Sequence, residues 1–296
     1  MYKPIVSQIS TYIKLTVLLA FLSGILVGLG FLIGGVDLAW SFLLISLILN
    51  FIMYFFSDKI VLATTGARIV SEQEAPRLHN IVEKVSNEAG IPKPKVGVIN
   101  SPVPNAFATG RGPGNATVVA TTGLLNMMHD DEIEAVIGHE IGHVVHRDTL
   151  IMTIVVAIST AISYIANMVF YSLFFFGFGG YGGGRDRDGS ELALFAAALV
   201  APIAATLIQL AISRSREYYA DEASALITRK PLSLASALEK IESFVRGGYK
   251  MKVPPSTSAL FIVNPFKGIN VAELFSTHPS TENRIKRLRK LAEELQ

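Results

Sequence analysis

Residues 139–143 read His-Glu-Ile-Gly-His, and this short stretch is the part of the sequence best equipped for chemistry. The spacing predicts a helix with both imidazoles on one face, because residues i and i+4 sit one turn apart. Two such imidazoles can grip one zinc ion. Glu140, beside the first of them, can reach a water held by that ion. Zinc lowers the pKa of such a water to about 7, where a carboxylate can take its proton. The chemistry on offer is metal-assisted hydrolysis, and H-E-x-x-H on a helix is its pattern.

A hydrolytic zinc site takes three protein ligands and keeps a fourth position open. His146 is the nearest further histidine in sequence, but the helical rise sets it about 10 Å from His139 along the axis, too far to share an ion. No H-x-x-G-x-x-H extension follows the motif, which excludes that three-histidine pattern. The better source is 213–223, SRSREYYADEA. Glu217 and Asp221 are again i and i+4. Glu217 could complete the ion's ligands, with Glu222 as the alternative from the same turn. Asp221 could accept a hydrogen bond from a ligand histidine and so orient it. Taken alone, the same turn would read as a solvated acidic turn paired with Arg214 and Arg216.

The elements that must position these residues are unusual. The 296 residues are 50% hydrophobic and only 17% charged, against about 25% charged in a soluble domain. Mean hydropathy is +0.44. Four stretches lack Asp, Glu, Lys and Arg: 15–36, 38–57, 149–184 and 192–213. Crossing the hydrocarbon of a bilayer takes about 20 apolar residues. The first two runs, separated only by Asp37, predict a tight membrane hairpin rather than a signal peptide. The third predicts a crossing at about 149–173, then a Gly-rich connection over 174–190. The fourth predicts a second crossing, kinked at Pro202. A buried hairpin inside a soluble domain is the alternative for the last two.

This composition excludes an ordinary cytosolic globule and a disordered chain. With no cysteine, thiolate metal sites, disulfides and a Cys nucleophile are excluded. A net charge of +2 gives no case for nucleic acid. Lys3, Lys14, Lys59, Arg68, Arg147, Arg214 and Arg216 flank the runs on one side, and the loops between paired runs carry no positive excess. By the positive-inside rule both termini and the polar segments face the cytoplasm. The chain then divides into an N-terminal transmembrane hairpin (1–57), a first polar part with the HEIGH helix (58–148), a second hairpin with the Gly-rich loop (149–213) and a second polar part (214–296). The two polar parts are expected to form one domain. Within them, 71–90, 130–148, 231–245 and 281–295 read as helices. Residues 95–100 and 116–121 read as strands, with a loop or hairpin between them.

HEIGH, SRSREYYAD after an apolar pair, and HPSTENRI at 278–285 together resemble the HtpX family of membrane-bound zinc metalloproteases, relatives of the CAAX prenyl proteases. The likeness runs through nearly the whole chain, including PNAFATG at 104–110 and TTGLL at 121–125. The resemblance implies a mainly α integral membrane protein: four transmembrane helices and a cytoplasmic α+β zincin-like (gluzincin) domain with a small sheet. It implies one Zn2+ per chain held by His139, His143 and Glu217, with Glu140 as general base and Asp221 behind a ligand. It makes the segment Asn105, Ala106 and Phe107 an edge where a peptide adds as a strand. His278 and Arg284 resemble residues that hold the substrate carbonyl or its oxyanion, although His278 could equally be a buried structural histidine.

The expected activity is peptide-bond hydrolysis at the cytoplasmic face of the cell membrane. The expected partners are the lipid bilayer and polypeptides, chiefly misfolded or damaged membrane proteins. Two other readings compete. A prenyl protease would use the same chemistry on lipidated peptides, but is expected to have more membrane helices. A metal transporter or sensor would carry His or acidic residues along its membrane runs, and these runs hold none.

Overall fold

A computed structural model describes residues 5–172, 214–249, 251–265 and 279–295. The Gly-rich connection 174–190, the apolar run 192–213 and His278 lie outside the described residues. The first helix, α1 (Ile5–Thr65), is broken at Gly34 and Gly35, the latter at φ +66°. That left-handed conformation suits glycine, so the chain reverses there rather than at Asp37. Asn50 Nδ2 donates to Ser23 Oγ at 2.9 Å. A straight helix would hold these residues about 40 Å apart, so the two arms lie side by side. A Cβ on Gly30 would stand 2.8 Å from the Phe42 ring; the bare glycine lets the arms close up. Large apolar side chains point outward along both arms, among them Val17, Phe21, Leu32, Trp40, Leu44 and Phe51.

Beyond the hairpin lies a mixed sheet of β1 (Arg68–Ile69), β2 (Lys95–Ile99), β3 (Ala106–Gly110) and β4 (Ala116–Thr121), in the order β1-β2-β4-β3. β2 and β4 run parallel, and β3 returns antiparallel to β4 with Phe107 opposite Val119. The segment before Arg111, read from sequence as loop or hairpin, therefore supplies an edge strand. Two helices, α2 (Pro76–Ala89) and α3 (Thr122–Met127), flank the sheet. Gly90 closes α2 in the left-handed conformation.

The motif helix, α4 (Asp130–Val145), opens with Asp130, Asp131 and Glu132 at its positive end. Glu132 also accepts from the backbone N–H of His129 at 3.0 Å. Ile133, Ile137 and Ile141 are fully buried, each contributing about 1.5–3 kcal/mol by leaving water. The helix does not continue to Asp148 as the sequence suggests. Arg147 takes φ +61°, and α5 (Asp148–Ser172) leaves at 88° to α4. Residues Leu150, Ile154, Val155, Val156 and Ala157 of α5 are buried against α1, β3 and a 3-10 turn at Pro255–Leu260. Thr153 Oγ1 contacts Thr109 Oγ1 at 3.0 Å and accepts from Gly110 N–H at 3.1 Å. The start of the third apolar run is thus enclosed by protein. Helices α6 (Arg214–Thr228) and α7 (Pro231–Arg246) pack on α4, and α8 (Thr281–Glu294) packs on α6 and α7.

Candidate metalloprotease centre

The closeness of α4 and α6 starts from two glycines. A Cβ on Gly142 would lie 3.0 Å from Ala223 Cβ and 3.2 Å from Ala220 Cα, and one on Gly138 would lie 2.7 Å from a Thr228 methyl. With no side chain there, the helices nearly touch. Ser224 Oγ donates to the Ala135 carbonyl at 2.6 Å across the seam. This contact brings Glu217 from the far half of the chain over the motif.

Glu217 Oε2 lies 3.7 Å from His139 Nε2, and Oε1 lies 3.5 Å from His143 Nε2. One ligand atom from each of the three residues falls within 4.8 Å of the others. Ligand atoms on one tetrahedral zinc would be about 3.3 Å apart, given bonds of about 2.0–2.1 Å. The donor set, two imidazoles and a carboxylate with both Nε2 atoms converging, fits a zinc ion. Glu222 does not compete: its side chain is 42% exposed and faces Arg287 at 3.7 Å. His146 caps the end of α4, its N–H donating to the Gly142 carbonyl at 3.0 Å.

Each candidate ligand histidine has a carboxylate behind it. His139 Nδ1 is 2.9 Å from Asp221 Oδ1. Asp221 is itself clamped by Arg284, whose Nε donates to Oδ2 at 2.9 Å and Nη2 to Oδ1 at 2.6 Å. His143 Nδ1 stands 3.5 Å from Asp148 Oδ2, and Asp148 takes Arg216 Nη1 at 3.3 Å. Asp148 was not legible as a partner from sequence. A continuous helix would turn it away, and the bend at Arg147 swings it back. The signal available was a lone acid standing first in a long uncharged run.

The titratable groups of the site are strongly polarised. Burial, helped by the Arg284 charge, pushes His139 down to about 4 against the pull of Asp221. Such a histidine is a neutral ligand at pH 7. Burial also opposes charge on His143, but Asp148, Glu217 and Glu140 outweigh it and push its pKa up to about 9. Burial pushes Glu140 up to about 7, with His143 opposing and Glu217 assisting, while the Ala108 backbone N–H holds the charged form. Asp221 stays below its usual range: burial would raise it, but the Arg284 charge and the bonds to His139 and Arg284 prevail.

Glu140 borders a cavity of about 30 Å3, large enough for a water molecule. Ala108, Met152, Leu260 and Phe261 also line it. The side chains of Asn105 and Phe107 do not face this cavity. Both are fully buried: Asn105 Nδ2 donates to the Val263 carbonyl at 2.8 Å, and Phe107 meets Phe261 edge-on at 5.4 Å. Ala106 is buried too, and its carbonyl accepts from Ile262 N–H at 3.3 Å. The strand residue beside Glu140 is Ala108 instead. Arg284 is buried as well. It is 2% exposed, with Nη1 donating to the Ile262 carbonyl at 2.9 Å and standing 3.6 Å from Glu217 Oε2.

The comparisons with known proteins agree with this geometry. The profile of peptidase family M48 matches residues 72–292. A protease HtpX homolog of Pyrococcus abyssi (strain GE5 / Orsay) is 55% identical over 284 residues, covering 96% of this chain and 97% of that one. Another, of Pyrococcus furiosus, is 54% identical over 288 residues, covering 97% and 98%. The crystal structure of S. mikatae Ste24p shares the fold at 21% identity and a TM-score of 0.50, over 95% of this chain and 66% of that longer one. A His-His-Glu group able to hold a metal beside a buried glutamate, on a chain this close to such proteases, leaves one assignment: the chain belongs to peptidase family M48, as a metalloprotease of the HtpX type.

Proposed function

We propose that this protein is a zinc-dependent endopeptidase of the cytoplasmic membrane surface, cutting misfolded or damaged membrane proteins. The observation that carries the reading is the convergence of His139 Nε2, His143 Nε2 and Glu217 beside Glu140. His139, His143 and Glu217 would hold the ion. When bound, zinc supplies Lewis acidity to the scissile carbonyl and to a water. Glu140 takes a proton from the attacking water and delivers it to the leaving amine. The Ala108 N–H favours the charged form of the Glu140 carboxylate. Asp221 and Asp148 hold the two imidazoles in orientation. Arg284 acts through Asp221 and Glu217. An extended peptide would lie along β3 at Ala108, not at the buried Asn105–Phe107 segment.

The membrane placement rests on the hairpin. Its outward side chains are apolar along both arms, a surface that water does not favour over such an area. Lys14 and Lys59 stand where each arm enters its apolar run, which supports termini and site on the cytoplasmic side. The second pair of runs is assigned to the same membrane on composition alone.

The test pairs wild type with Glu140→Gln, both purified in detergent. Zinc per chain is measured, and casein is offered with and without a chelator. One zinc in each, with cleavage by wild type alone and lost to the chelator, is the expected result. Turnover by Glu140→Gln would remove Glu140 from its role. A reporter fused after Gln296 and found outside the cell would overturn the topology.

A further inference from the structure

The loop after β3 and the bend after α4 bring two arginines to the foot of the hairpin. The Arg111 guanidinium lies over the Phe55 ring at 5.0 Å and the Tyr54 ring at 5.7 Å. Arg147 lies over Tyr12 at 5.9 Å and donates from Nη1 to its hydroxyl at 2.6 Å. The two are neighbours: a Cβ on Gly112 would stand 3.7 Å from Arg147 Nη1. Among the described residues neither arginine has a carboxylate within ion-pair distance, and the Nε of each is buried with no acceptor. Arg216, by contrast, is paired with Asp148. Asp58 stands one turn beyond Tyr54 in α1, next to Lys59.

The level of this pair matters. The Ser23–Asn50 contact aligns the arms, so Tyr54 and Phe55 face residues near 18, just inside the apolar runs. Unpaired guanidinium groups seated on aromatic rings at that depth meet the headgroup layer of a bilayer, where anionic groups supply what the protein omits. We propose that Arg111 and Arg147 form a binding site for the phosphate of an anionic phospholipid. The bound lipid would tie the β3–β4 turn and the α4–α5 bend, and with them Ala108 and Asp148 of the catalytic centre, to the membrane surface. The inference rests on the hairpin's membrane placement.

The full-length protein in an uncharged detergent is titrated with fluorescent short-chain phosphatidylglycerol, phosphatidylcholine and, as competitor, inorganic phosphate. Wild type should bind phosphatidylglycerol at least ten-fold more tightly than phosphatidylcholine. Arg111→Gln and Arg147→Gln should each weaken this binding about five-fold, as expected for one basic group near a headgroup. Arg111→Lys should keep most of it. An unchanged circular-dichroism spectrum and a monodisperse gel-filtration peak show that each variant is folded. Equal binding of the two lipids, or an unchanged preference in the double variant, overturns the site. Competition by phosphate at the lipid's own concentration also overturns it, in favour of free phosphate. Flotation of wild type with pure phosphatidylcholine vesicles reads the membrane placement separately; its failure would sink that reading without touching the titration.

Discussion

Asp221 Oδ1 sits 2.9 Å from Nδ1 of His139, with both side chains buried. The contact places the imidazole proton on Nδ1 and leaves the Nε2 lone pair facing Glu217. Metal-binding histidines gain basicity and a fixed orientation from such a partner. Asp221→Asn should therefore weaken zinc binding about 10–100-fold while leaving the fold in place. Competition against a graded series of chelators measures it. Unchanged affinity would show that His139 is held by packing alone.

Arg284 gives the complementary case. It is buried with Asp221, Glu217 3.6 Å away and the Ile262 carbonyl as its partners. Arg284→Met leaves the Asp221 charge buried without its cation, at a cost of about 3–5 kcal/mol. Pairing it with Asp221→Asn should recover part of that loss. Denaturant midpoints of the single and double variants test this; strict additivity would mean that the two do not act as a unit.

The α4–α6 seam has no room at Gly142. Gly142→Val must push Ala220 and Ala223 away, and such overpacking costs about 1–3 kcal/mol. Because the same seam sets Glu217 against the histidines, zinc affinity should fall together with stability. A variant that lost stability but kept full zinc affinity would separate the seam from the site.

Glu132 offers a pH test away from the site. Burial alone would raise its pKa, but Lys240, the Ser236 hydroxyl and the His129 N–H hold it below the ordinary value. A carboxylate with a depressed folded-state pKa contributes stability that is present above the unfolded value of about 4.3. That stability is lost as the pH falls through the folded value. Glu132→Gln keeps an N3 side chain able to close the capping box and should lose stability mainly above pH 5. Urea titrations at pH 6 and pH 3 should show the gap between wild type and variant shrinking at the lower pH. A gap independent of pH would mean that the charge contributes nothing.

Glu140 carries the chemical prediction. Glu140→Gln should retain zinc and lose about 10²–10⁴ in turnover, the usual contribution of a positioned acid–base group. Casein cleavage per bound zinc is the measurement.

Much of this protein is local, and local features can be read from the chain alone. The i, i+4 spacing of His139 and His143, and again of Glu217 and Asp221, follows from helical geometry whatever the helices pack against. The apolar runs at 15–36 and 38–57 announce a hairpin because nothing but a nonpolar surrounding suits them. Tertiary structure decided what depends on distant surfaces meeting. Glycines on α4 set how near Glu217 comes, which no spacing within either segment encodes. The reversal at Gly34–Gly35, rather than at Asp37, was a choice among several turn-forming residues. The left-handed Arg147 broke a helix whose pattern ran on, and so carried Asp148 behind His143. The resemblance marks Arg284, Asn105 and Phe107 for substrate, and it is the packing that decides that all three side chains are buried. Side-chain direction at a site is set by which faces the fold encloses, and that is a property of the packed whole.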